Sequence, residues 1–162
     1  RSGSRPRTSE RSTARATGPF AGATWDFIGI ANTTGDVDTE SSISFMRNVN
    51  VSGGVTLPAW MVPPTGVNAN AGTYSFGAVS GATVYTITFS AGQGSATWVV
   101  TPLDGRTSFE LPTLTPDGMP SGQVTMTVAA MAVPGFDPMS FSTSDLAGTV
   151  TQSSTGQTTF NH

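Results

Sequence analysis

"TYSFGAVSGATVYTITFSAGQGSATWVVT", residues 73–101, decides the fold. Between Tyr85 and Ser90 apolar and polar side chains alternate without a break, the period of a strand with one face buried. The "SGA" and "AGQGS" insertions punctuate the run, which predicts three strands at 73–79, 82–90 and 95–101. The stretch contains no Asp, Glu, Lys or Arg, so its polar face consists of Thr, Ser, Gly and Gln.

The same pattern extends in both directions. "ATWDFIGIA" (23–31) and "SSISFMRNVNV" (41–51) read as an antiparallel hairpin joined by the turn-rich "NTTGDVDTE" (32–40). In the first run Trp25 and Phe27 share one face, and Trp25 and Trp98 are expected in the core. "GVTLPAWMVPPTGVNANAG" (54–72) reads as a short edge strand closed by Pro63-Pro64, since proline cannot donate to a ladder. "TSFELPTL" (107–114) gives another strand. "GQVTMTVAAMAV" (122–133) places Val124, Met126, Val128 and Ala130 on one face. "FDPMSFSTSDL" (136–146) is a run broken by Pro138, and "AGTVTQSSTGQTTF" (147–160) reads as a hairpin turning at "SSTG". About ten strands and no helix are expected: an all-β, antiparallel β-sandwich. The expected organisation is an extended arm over 1–19 and one sandwich domain over 20–162. Within it, 20–55 is an added hairpin, 56–146 the core and 147–160 a C-terminal hairpin.

Composition agrees with this class. Charged residues make up 10% of the 162 residues, against about 25% in an average soluble domain. Nineteen Gly and 11 Pro supply frequent turns. There is no Cys, which rules out a disulfide framework and a thiolate metal site. Every basic residue is Arg, so Schiff-base lysine chemistry, a phosphate-loop lysine and a Lys–Asn isopeptide link are all ruled out. No run approaches the roughly 18 apolar residues of a helical membrane span. A chain that starts at Arg1 is expected to be a processed or partial product.

The net charge of −3 is unevenly distributed. Arg1, Arg5, Arg7, Arg11 and Arg15 stand against Glu10 alone in the first fifteen residues, whereas the remainder is acidic. The arm is polar, basic and without hydrophobic period. It reads either as a linker or as an arm lying on an acidic surface, its own or a neighbour's. An acidic body argues against a nucleic-acid partner, whose phosphates it would repel.

From Asn48 to Leu103 there is no formal charge. Sheet edges are usually protected by Lys, inward charges or bulges. Their scarcity here points to a surface covered by another module or subunit, because interface cores are poor in charge.

Residues 56–146 resemble a fibronectin type III-like module. "YSFGAVSGATVYTITF" is similar to the family's B strand, turn and C strand, "TSFELPTLTPDG" to its E strand, and "VTMTVAAMAVPG" to its F strand. The resemblance puts Phe76 in place of the usual core Trp and Tyr85 in place of the C-strand Tyr. The corner Tyr of the F strand is absent, with Gln123 or Val124 standing there. It implies an immunoglobulin-like sandwich of an exported bacterial protein, extracellular or on the cell surface.

Few residues offer chemistry. The only His is His162, the last residue, where fraying is expected. Asp104 and Glu110 are the best carboxylate pair, on either side of a turn. "DVDTE" presents Asp36, Asp38 and Glu40 in alternation, hard oxygen ligands of the kind calcium takes, or a solvated acidic loop. No other cofactor is expected. Trp60, beside the proline corner, with Asn68, Asn70 and Gln93, forms a candidate polysaccharide-binding set. Asn32-Thr33-Thr34 and Asn50-Val51-Ser52 match the N-glycosylation pattern. The leading expectation is a non-enzymatic structural or assembly module with protein partners; the alternative is a carbohydrate-binding module, calcium-supported or not.

Overall fold

The computed structural model describes residues 22–32, 40–51, 55–70, 72–91, 96–113, 119 and 122–162. They form nine strands and one short helix: β1 (Thr24–Asn32), β2 (Ser41–Asn50), β3 (Asn68–Asn70), β4 (Thr73–Ser75), β5 (Val84–Ala91), β6 (Ala96–Val100), β7 (Ser108–Glu110), β8 (Gln123–Ala132), α1 (Thr143–Thr149) and β9 (Gln152–Asn161). A six-stranded sheet runs β1-β2-β9-β8-β5-β6 and a three-stranded sheet runs β3-β4-β7; every pairing is antiparallel. The chain is an all-β sandwich.

The two-residue period selects the inner face of the large sheet. Tyr85, Ile87 and Phe89 of β5 stand opposite Ala130, Val128 and Met126 of β8, and all six are buried. The small sheet closes over them with Tyr74 and Phe109. The Tyr74 ring meets Phe89 edge-on at 4.8 Å and stacks on Phe109 at 5.7 Å. Full burial of each large side chain contributes about 1.5–3 kcal/mol, which makes this layer the principal stabilising feature.

Toward β1 the same face changes character. Its residues become small: Ser154 and Gly156 on β9, Ser42 and Ser44 on β2, and Gly29 on β1. The small sheet does not cover this half. An extended segment without strand pairing, residues 55–67, lies across it as a strap. Ser42 donates to the Met61 carbonyl, Ser154 donates to the Val62 carbonyl at 2.9 Å, and Gln152 donates to the Ala59 carbonyl. A Cβ on Gly156 would collide with the Pro64 carbonyl, and one on Gly29 would lie 2.6 Å from the Trp60 ring. Small residues are required here because the strap's backbone lies close above Ser42, Ser154 and Gly156, and its Trp60 ring above Gly29.

The outer face carries a second cluster. Val84, Val133 and Val150 pack with Phe45, Met131, Phe136 and Leu146, so that α1 and its preceding loop cover part of β5, β8 and β2. Arg47 fixes the rim: its guanidinium donates to the Val150 carbonyl at 2.7 Å and lies 5.1 Å from the Phe45 ring centre.

Several expectations change. Within the expected 54–72 edge strand, residues 55–67 form no strand before β3; they form the strap. The 136–146 run is a loop followed by α1. The expected C-terminal hairpin is one continuous strand: "SSTG" lies within β9 as its contact with the strap, and Gly156 serves close approach, not a turn.

Candidate functional site

β1 ends the large sheet, with β2 on one side and, among the described residues, no strand on the other. Its pairing with β2 is regular from Phe27 to Asn32 and shifts between Trp25 and Phe27. At that bulge Asn48 adopts a left-handed conformation, φ 56°, and its amide donates to Asp26 Oδ1 at 2.9 Å. Asn tolerates this region better than most residues, and the only charge on β1 is thereby used to fix the bulge.

Four of the exposed large apolar side chains gather on or against this strand. Ile28 is 64% exposed, Ile30 57%, Trp25 40% and Trp60 37%. Ile28 and Ile30 project from the outer face beside Phe45 and Ile43 of β2. Trp60 lies over Gly29 on the inner face. The edge is therefore apolar on both faces around a glycine, and it lacks the lysines and prolines that keep sheet edges solitary.

Three residues of the expected sugar-binding set are described, on two different elements. Trp60 stands over β1, whereas Asn68 and Asn70 are exposed on β3, beyond the point where the strap crosses β9. Gln93 lies outside the described residues, as do Asp36, Asp38 and the arginines of the arm, Arg1, Arg5, Arg7, Arg11 and Arg15. Glu40 is exposed at the start of β2. No group of three His or carboxylate side chains that could hold a metal occurs among the described residues. Asn32 ends β1 half-buried, and Asn50 ends β2 exposed.

Two further expectations are corrected. Trp25 is not a core residue: it is 40% exposed on β1, the end strand of the large sheet. His162 is not frayed: its amide donates to the Gly122 carbonyl and its carbonyl accepts from the Gly122 amide, both at 2.9 Å. It lines a cleft of about 250 Å³ together with Trp98, Tyr74, Leu111 and Met119. Asp104 and Glu110 are not a working pair. Arg106 binds Asp104 through Nε at 2.7 Å, while Glu110 faces Thr73 across the small sheet, exposed. That hydrogen bond, more than the nearby charge, lowers the Asp104 carboxyl below its usual value and raises the Arg106 guanidinium.

Fold and site define a class: an antiparallel β-sandwich whose larger sheet ends in an apolar edge strand. No family model, curated protein or solved structure matches the chain.

Proposed function

We propose that the chain is a non-enzymatic structural module of an exported cell-surface, filament or shell protein, acting by association through neutral β surfaces. The observation that carries this reading is the gathering of Trp25, Ile28, Ile30 and Trp60 along one sheet edge. Exposed apolar patches of this kind mark interaction sites. The five arginines of the arm supply a second contact, to acidic loops of a neighbour. Light scattering tests both parts. The intact chain is expected to associate, and removing residues 1–18 weakens association and reduces its salt sensitivity. A strict monomer up to high concentration overturns the reading, and unchanged association of the truncated chain removes the arm from it.

Strand order supports a fibronectin III-like kinship. In such sandwiches strands B and E share one sheet while C, F and G share the other. The segments that resemble B and E are β4 and β7, neighbours in the small sheet. Those that resemble C and F are β5 and β8, neighbours in the large sheet, with β9 next in line.

The second reading is a carbohydrate-binding module. The cleft at Trp98 and His162 favours it, since it joins an aromatic ring to a polar side chain. Retardation on polysaccharide gels that Trp98→Ala abolishes and Trp60→Ala leaves intact is the expected result for that site.

A further inference from the structure

We propose that β1 pairs with β1 of a second copy of this chain, antiparallel, about a two-fold axis at Gly29. This rests on the association reading above and names its partner and register.

An exposed strand edge is recognised by another strand, because its outward N–H and C=O groups need main-chain partners. Such pairing leaves side chains to choose the partner. An axis at Gly29 sets Ile28 against Ile30 of the second copy, and Phe27 against its Ala31. On the outer face this builds two cross-strand rows. Each begins at Phe45 or Ile43 of β2, the residues that already pair with Ile28 and Ile30. β-branched and aromatic pairs are favoured directly across strands. The rows cover the two most exposed large apolar residues of β1, which nothing in the described chain covers.

The inner face and the charge agree with a second copy. Gly29 meets Gly29 at the axis, where the Trp60 ring lies over each glycine. The single charge of the strand, Asp26, lies in the bulge outside the paired stretch, so the two carboxylates are not brought together. An isologous contact needs this self-matching, and it closes at two copies. The opposite edge, β6, is a shorter strand of five residues, so an open head-to-tail arrangement fits less of β1. The paired stretch is short, which puts the interface at the small end of the specific range, among the weaker associations.

The absence of native Cys makes a register-specific test clean. Ile28→Cys and Ile30→Cys are prepared as separate full-length variants and oxidised singly and mixed. In the proposed register residue 28 of one copy faces residue 30 of the other. Residues 28 and 28 are diagonal, about 7–8 Å apart, at the limit of a disulfide. The expected result is a covalent dimer in the mixture and little in either variant alone. Ile28→Lys is expected to weaken association at least tenfold, while Ile30→Val preserves it; circular dichroism confirms that both fold. Association without the mixed cross-link overturns this pairing and leaves the association reading standing. A strict monomer overturns both. A cross-link that appears only after residues 1–18 are removed means that the arm occupies the edge, and also overturns the pairing.

Discussion

The backbone amide of Val79 donates to the hydroxyl of Tyr85 at 2.9 Å, across the turn that joins β4 to β5. Both residues are buried, and the Tyr85 ring also packs on Phe76 at 4.9 Å. Tyr85→Phe keeps the ring and removes the acceptor from a buried amide. It is expected to cost about 1–3 kcal/mol, read as a lower urea midpoint with unchanged slope.

The strap gives a contrasting pair of serines. Ser42 donates to the Met61 carbonyl, whereas Ser44 Oγ is buried with no hydrogen-bond partner among the described residues. Ser42→Ala is expected to destabilise by about 1 kcal/mol, and Ser44→Ala to be neutral or stabilising. Parallel urea denaturation of the two variants checks this.

Gly156 admits no side chain under Pro64. Gly156→Ala must move either the strap or β9, at a cost of about 1–3 kcal/mol. Hydrogen exchange is expected to accelerate at β2 and β9 more than at β5.

Phe89 is fully buried between the sheets. Phe89→Ala is expected to cost about 3–5 kcal/mol, enough to unfold a marginal domain. Thermal denaturation checks it.

The Asp104–Arg106 pair is solvent-exposed, so its contribution is local. The Asp104 carboxyl is lowered in the folded chain. Any stability it adds is therefore present above its unfolded value and lost as pH falls through its folded one. Arg106→Ala is expected to return the Asp104 titration, followed by NMR, to the ordinary range with no measurable change in melting temperature near neutral pH.

What the sequence made readable was whatever the two-residue period carries. "VTMTVAAMAV" exposes its buried face in the spelling, and Val124, Met126, Val128 and Ala130 are all fully buried. The strap was hidden because a segment that packs by its backbone on Ser and Gly leaves no period of its own. "SSTG" misled for the same reason: small residues that make room for a crossing chain resemble a turn. The site was half visible. The neutrality of the region from Asn48 to Leu103 pointed to a covered surface, but the edge lies at Ile28 and Ile30, outside it. Period reveals which face a residue takes and is silent on whether its strand has a neighbour, which is why Trp25 read as core.

The insertion of β9 between β2 and β8 has a consequence for biogenesis. The β1–β2 hairpin leaves the ribosome well before β9, the strand that anchors it. Domains fold as their segments emerge, and unpaired strand edges invite aggregation in the interval. Until β9 emerges, Ile28 and Ile30 sit on a hairpin with no sheet to join. A chain cut before Gln152 leaves that hairpin unanchored.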